Sequence, residues 1–307
     1  MEGKKKIIVR FMGGLGNQLF QYAYARMLQE VYDADIYIDL EGYKNYKIRS
    51  FSLNNFQLNN RCYIYDDSII SRKDLFLYNI SRKIYHFFQY LKREITGKNR
   101  MGSWLFNRLS KKGYLYNFDV YYYDTPKVKS NNMFVYGYFQ SPFYFEMVEE
   151  ALMKELKIKN NKLNKDVLNL VNNLKSENSI AVSIRCGSDY LNTKLDVFSK
   201  EYFYKAIDYM NEKVDNAKFY IFSDDIEKCK DIFSFSQNVT YIDGLKDYEG
   251  ITVMSNCKHF IISNSSFSWF GSYLAENPNK IIIAPEKWYR STSGEGEDIY
   301  HPSMLRM

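Results

Sequence analysis

The sequence predicts a parallel α/β protein made of two Rossmann-like halves facing a cleft. Three observations predict it. Short apolar runs alternate with segments of helical spacing along most of the 307 residues, and strands separated by helices in this way pair in parallel. Glycine-rich or polar turns follow several of the strands, where open α/β sheets bind their ligands. A lysine- and asparagine-rich stretch, 157–165, separates two such series and divides the chain into residues 1–158 and 159–307. That length suits one large or two ordinary α/β domains.

The elements follow in order. The apolar run 5–11, closed by Gly13 and Gly14, reads as a strand, and 17–30 reads as a helix from the spacing of Leu19, Phe20, Ala23 and Leu28. DIYID at 35–39 alternates and reads as a second strand, so the chain opens β–α–β. Residues 40–132 hold a basic helix, loops and a polar, turn-like stretch at 117–132. A strand is expected at 133–138, then a helix from Pro142 toward 156 with Ser141 as N-cap. The second series has expected helices at 167–175, 200–214, 226–233, 248–257 and 267–276. Its expected strands are 179–184, 217–222, 239–242, 259–262 and 280–283.

Hydrophobic residues make up 46% and charged residues 25%, a globular and not a disordered composition. The aromatic share of 18% suits ring-walled sugar and nucleotide clefts, although an A/T-rich coding bias gives the same excess. Cys62, Cys186, Cys229 and Cys257 form no CxxC pair and have no histidine at zinc spacing, so free thiols in a reducing cytoplasm are expected. The opening MEGKKKIIVRF has too short an apolar run for a signal peptide, and no stretch approaches a membrane span.

Charge is unevenly spread. Residues 72–112 hold eleven Lys or Arg against Asp74 and Glu94, an excess larger than the net charge of +6 for the whole chain. Leu75, Phe76, Leu77, Ile80, Ile84, Phe87, Phe88 and Leu91 interleave them as in a basic amphipathic helix. A solvated face, a patch on the anionic inner face of a membrane and a nucleic-acid surface compete, and no nucleic-acid motif supports the last.

Five features fall where such a fold places ligands. Gly14, Gly16 and Asn17 lie in GGLGNQ, between the first strand and first helix. Glycine allows a tight turn there, and a helix N-terminus offers N–H groups to an anion. The turn partly matches the dinucleotide pattern, with Asp39 near the ribose-binding distance, but Leu19 stands where the third glycine belongs. The Asn17-Gln18 pair that follows suggests side chains aimed at a ligand. Arg185 and Gly187 follow a buried strand, and a guanidinium fork beside a glycine suits a diphosphate. Asp224 and Asp225 end another strand; one caps the next helix and the other is free for a base or ribose. Ser263-Asn264-Ser265-Ser266-Phe267 gathers more hydroxyls than a cap needs, which points to phosphate, with one serine expected as the cap. Finally, Trp288 and Tyr289 stack on a sugar or pack in the core. None of the three histidines supports acid–base catalysis.

GGLGNQLFQYAYA at 13–25 resembles the N-terminal signature of the α-1,2-fucosyltransferase family, glycosyltransferase family 11, as do the strand-plus-arginine element at 182–190, FSDDIEKC at 222–229 and SNSSFSWFGSYL at 263–274. The resemblance covers nearly the whole chain, with little of it between 40 and 130. It implies a GT-B-like fold and metal-independent, inverting transfer of fucose from GDP-β-L-fucose to the 2-hydroxyl of a galactose-type glycan, with no cofactor. It implies that Arg185 neutralises the departing phosphate, that Ser265, Ser266 and the Phe267 backbone hold the diphosphate, and that Asp224 or Asp225 binds guanine or ribose. Asn17 would lie across the cleft, near the fucose. Asp189 is the candidate base. The family pattern approximates His-x-Arg-Arg-Gly-Asp-Tyr, whereas this chain has Ser183 and Cys186 at the histidine and second arginine, and Ser188 as an insertion. Ser183 can hydrogen-bond a base or phosphate but does not titrate near neutral pH. The alternatives are another nucleotide-sugar transferase, an NAD-linked oxidoreductase and a non-catalytic carbohydrate-binding protein.

Overall fold

The computed structural model describes residues 4–45, 48–96, 102–125, 127–188, 190, 192–235, 239–290 and 296–307. Two compact units share the chain: Met1–Phe51 with Leu58–Glu155, and Ser52–Gln57 with Leu156–Met307. Composition put the boundary at 158/159. The packing divides the chain between Glu155 and Leu156 and gives the short piece Ser52–Gln57 to the second unit. Phe56 is buried in that piece and bridges Ile158, and Gln57 N–H donates to the Lys157 carbonyl at 2.9 Å. Its other end is fixed by the Ser52 hydroxyl, which donates to Asp247 at 2.7 Å.

The first unit runs β1 (Lys6–Arg10), α1 (Leu15–Tyr32), β2 (Asp35–Asp39), β3 (Cys62–Ile64), α2 (Arg72–Thr96), α3 (Ser103–Ser110), β4 (Tyr114–Asn117), β5 (Asn132–Gly137) and α4 (Glu149–Glu155). The sheet order is β3-β2-β1-β5-β4, every pair parallel. Ile7, Ile8 and Val9 of the central strand are buried without alternation, as a strand covered on both faces requires. The helix α1 covers it with Leu19, Phe20, Tyr22, Ala23 and Tyr24. The aromatic excess is largely used here: Tyr24 stacks on Phe139 at 4.0 Å and Tyr78 on Phe134 at 4.4 Å.

Three expectations for this unit change. The stretch 40–132 contains β3, α3 and β4, short or edge elements without a strong pattern. No continuous helix starts at Pro142; two 3-10 turns, Pro142–Tyr144 and Glu146–Val148, precede α4. Phe145 breaks the run at φ −137°, with its ring buried 6.0 Å from Phe20, so packing of one ring overrides helical propensity. The buried Ser141 hydroxyl does not cap that turn.

The second unit runs α5 (Lys165–Ser176), β6 (Ser179–Ile184), α6 (Lys200–Lys213), β7 (Lys218–Ser223), α7 (Ile226–Ile232), β8 (Val239–Ile242), α8 (Asp247–Ser255), β9 (His259–Ile261), α9 (Ser266–Tyr273), β10 (Ile282–Ala284) and β11 (Met304–Arg306). The parallel order is β11-β10-β9-β6-β7-β8. Ile180, Val182, Ile184, Phe203, Ile207, Met210, Ile221 and Phe233 form the core on one face. The strand β11 is an addition to the expected set; it pairs through Met304–Ile282 at the sheet edge.

Both sheets reverse direction at one place. In the first, β1, β2 and β3 step one way while β5 and β4 lie on the other side of β1; in the second, β6, β7 and β8 step one way while β9 starts the other side. Such switch points leave a crevice at the strands' carboxyl ends, where ligands bind.

Candidate active site

In the second unit, three motifs singled out in the sequence sit at the carboxyl ends of three adjacent strands, β9, β6 and β7. Register places them side by side, with Ile184 opposite Ser223 and Val182 opposite Ile261. Arg185 leaves β6 beside the switch point between β6 and β9.

Asp224 organises this corner. One carboxylate oxygen accepts the Cys186 N–H at 3.0 Å, and the other accepts the Gly187 N–H at 3.1 Å and faces Arg185 Nε at 3.2 Å. The guanidinium carbon lies 4.6 Å from the centre of the Tyr190 ring. An ion pair on one side and a ring on the other restrict an otherwise flexible arginine, which lowers the entropy lost when it grips an anion. Asp224 is thus a positioning group for Arg185. Its neighbour Asp225 caps α7, accepting the Lys228 N–H at 3.0 Å. Asp225 takes the cap expected of one of the pair; Asp224, expected to be free for a base or ribose, is held by Cys186, Gly187 and Arg185 instead. Ser183 is buried within β6. Asp189 lies outside the described residues.

Cys186 replaces a cation in the expected pattern, and its surroundings are distinctive. Its Sγ lies 3.4 Å from the Ser223 hydroxyl and 3.5 Å from the Asp225 carbonyl, and the neighbouring Cys229 thiol, helped by Ser223, lowers its pKa below the ordinary thiol value against the effect of burial. Proximity to Cys186, together with burial, pushes the Cys229 thiol upward.

At the end of β9 the expectation of a serine cap fails. Ser265 occupies the N-cap of α9 in extended conformation, but its hydroxyl makes no capping bond. Ser268 Oγ instead bonds back to the carbonyls of Ser265 at 3.1 Å and Ser263 at 3.3 Å. The Ser265 hydroxyl therefore does not occupy this helix start, whose N-terminal end carries partial positive charge suited to an anion. Asn264 braces the loop by donating to the Leu195 and Trp288 carbonyls at 2.9 and 3.1 Å. Trp288 and Tyr289 are buried, so the core-packing alternative holds for both.

In the first unit, Gly13 adopts φ +76° and Gly14 leads into α1, again with no side-chain cap. Gly16 is buried in the first turn of α1. Asn17 accepts a hydrogen bond from Gln140 Nε2 at 2.7 Å, which ties the first turn of α1 to the loop after β5 at that sheet's switch point. Gln18, expected to face a ligand, is fully buried and donates to the Gly13 and Ser50 carbonyls at 3.2 and 2.8 Å. Its role is to hold the glycine loop in shape. The acid of the dinucleotide alternative, Asp39, is occupied by Arg10 Nε and the Glu41 N–H, both at 2.8 Å.

A feature missed in the sequence is a cavity of about 1040 Å³ beside the ends of β1, β2 and β3, lined among others by Arg10, Asp39, Asp67, Tyr78, Arg82 and Tyr136. Arg82 lies 4.7 Å from the centre of the Tyr136 ring and 5.4 Å from that of Tyr78. The buried Tyr78 hydroxyl and Arg82 Nε have no hydrogen-bond partner among the described residues. Rings, carboxylates and unused donors together suit a polyhydroxylated ligand. The available signal was the i, i+4 spacing of Tyr78 and Arg82 on α2.

Comparison with known proteins bears on both units. The family described as Glycosyl transferase family 11 matches residues 6–305. The chain is 31% identical to an alpha-1,2-colitosyltransferase of Escherichia coli, over 92% of each chain. It is 29% identical to the O-antigen biosynthesis glycosyltransferase WbnK of Escherichia coli, over 90% of this chain and 93% of that one. Its fold is shared with the fucosyltransferase NodZ from Bradyrhizobium, at TM-score 0.51 and 14% identity over 89% and 94% of the two chains. It is also shared with a variant of Arabidopsis thaliana FUT1 in complex with GDP, at TM-score 0.50 and 11% identity over 97% and 75%. The architecture, two parallel α/β units, is the GT-B-like class.

Proposed function

The chain belongs to glycosyltransferase family 11, and from that premise we propose that it moves an L-fucose-type sugar from a GDP donor to the 2-hydroxyl of a galactose-type acceptor, with inversion. The observation that carries this reading is Arg185 held by Asp224 at the end of β6, the strand next to the one that leads into α9. In the reaction the acceptor oxygen bonds to the anomeric carbon from the face opposite the diphosphate. The bond from that carbon to the phosphate oxygen breaks, and GDP leaves with the electron pair. Negative charge grows on the leaving phosphate as positive charge grows on the sugar ring. Arg185 and the N–H groups of α9 meet that negative charge without a metal, which is where fixed donors lower a barrier most. Ser265 and Ser266 flank the diphosphate, and Ser183 and Gly187 border the same loop. The proton of the acceptor hydroxyl passes to a base, for which Asp189 remains the candidate. The cavity of the first unit takes the acceptor sugar, its rings stacking on the pyranose and Arg82 and Tyr78 donating to hydroxyls.

One observation favours a second donor. The relative at 31% identity is an alpha-1,2-colitosyltransferase, and colitose is fucose without its 3-hydroxyl. A site built to bond that hydroxyl rejects the deoxy sugar strongly, whereas a site built for the deoxy sugar discriminates weakly. Turnover of GDP-fucose and GDP-colitose with galactosides, followed by linkage analysis, separates the two. Arg185→Ala should reduce transfer at least about 100-fold while the protein stays folded, and near-normal turnover would remove the phosphate assignment. Activity that persists in EDTA is expected, and loss restored by a divalent ion would overturn metal independence.

A further inference from the structure

The helix α2 has two faces with different fates. Tyr78 and Tyr85, seven residues apart, are buried against the first unit. The opposite side carries Phe76, Leu77, Ile80, Ile84, Phe87, Phe88 and Ile95 at helical spacing, each exposed, with Phe87 at 58% and Ile95 at 79%. Helices of globular proteins turn such a stripe inward, and an exposed apolar patch of this extent marks an interaction surface. Trp104 of α3 adds a ring that is 69% exposed, with Arg108 5.3 Å from its centre.

Charge selects the partner. Lys73 and Lys83 are exposed on α2, as are Arg108, Lys111 and Lys112 just beyond it. Of the two acids in this stretch, Asp74 is already bonded to the Ser71 hydroxyl at 2.7 Å. A second copy of the chain would bring the same cations against one another. An anionic lipid surface satisfies both halves of the pattern, taking the apolar stripe below the headgroups and the lysines among the phosphates. Among the described residues no helix is long and apolar enough to cross a membrane, so α2 would lie in the plane of the surface.

We propose that α2 is an in-plane anchor that seats the first unit on an anionic membrane surface. The inference is independent of the donor and acceptor assignments, because it concerns the side of α2 that faces away from the cavity.

The test is flotation of the full chain with vesicles of phosphatidylglycerol and phosphatidylethanolamine, and with neutral phosphatidylcholine vesicles. Partition onto the anionic vesicles, little onto neutral ones, and weakening by salt are expected. Ile84→Ser with Phe87→Ser should reduce partition about tenfold for each side chain. Lys73→Gln with Lys83→Gln should reduce it about fivefold per charge. Both pairs should keep the wild-type circular dichroism spectrum and transfer to a water-soluble acceptor. Three results would overturn the proposal: no partition on either vesicle, equal partition on both, or a dimer in sedimentation that the Ile84 and Phe87 variant dissolves.

Discussion

Replacing Asp224 with asparagine isolates how the loop after β6 is held. The native carboxylate serves the Cys186 and Gly187 N–H groups with separate oxygens, and the second oxygen also faces Arg185 Nε at 3.2 Å. Asparagine has one oxygen. If it keeps the Cys186 bond, its NH2 confronts two donors. A hydrogen bond to a charged group contributes roughly 1.5–3 kcal/mol. The Asp224 side chain is only 15% exposed, so solvent compensates little and about 2–3 kcal/mol of stability should be lost. Catalysis should suffer more, because the cation loses both its counter-charge and the turn that aims it. We expect kcat/KM to fall about 10- to 100-fold, or roughly 1.4–2.7 kcal/mol of barrier, less than deletion of the cation itself. Initial rates with labelled GDP-sugar for the wild type, Asp224→Asn, Arg185→Ala and the double variant form a cycle. Since Asp224 acts through Arg185, the double variant should be about as slow as Arg185→Ala alone, a coupling of about 1–3 kcal/mol. A double variant that loses the product of both effects, or an Asp224→Asn enzyme with wild-type kcat/KM, refutes the positioning role.

Other outcomes follow from single residues. Gly137→Ala would drive a Cβ into the Asn117 carbonyl oxygen at φ +139°; a loss above about 4 kcal/mol should appear in urea titration, or the variant should yield no soluble protein. Arg82→Gln should raise the acceptor KM about tenfold, roughly 1.4 kcal/mol, with the donor KM unchanged; a change confined to the donor KM would move the acceptor out of the cavity. Burial, and then Lys258, lowers the His259 pKa below 6.5, and its Nδ1 accepts the Ile281 N–H at 3.1 Å. The unfolded chain therefore takes up this proton first as pH falls through about 6.5, so stability at neutral pH is lost toward acid. His259→Asn, which retains an acceptor, should flatten the slope of the urea midpoint between pH 7.5 and 5, and an unchanged slope would count against it.

Legibility in the sequence followed the strength of local pattern. The second unit was readable almost strand by strand, because runs such as SIAVSI at 179–184 are buried on both faces and bounded by polar turns. The placement of the candidate motifs at the strand ends followed, since the end of each such strand is fixed once the strand is. The first unit was readable at β1, α1 and β2 and then faded. The strand β3 has three residues and two exposed side chains, leaving no period to detect. The helix around Pro142 failed because the burial of Phe145 is a tertiary fact. The misreading of Gln18 and of the serine cap has a shared cause: polar side chains near a helix start serve ligand, cap or loop equally well in sequence, and only their partners decide. Ser52–Gln57 was invisible because membership in a unit is set by contacts with residues a hundred positions away.

That short piece changes how the protein can be taken apart. The backbone passes from the first unit to the second after Phe51, returns before Leu58 and leaves again after Glu155. A cut at the obvious boundary gives two fragments, neither whole. The N-terminal one strands Phe56, and the C-terminal one lacks the chain that pairs with Lys157 and Ile158. Recombining halves of related enzymes to pair a new donor with an old acceptor therefore needs two inserts from the same parent, residues 52–57 along with 156–307. Chimeras made with a single crossover would inherit mismatched pieces and should misfold even when both parents are stable.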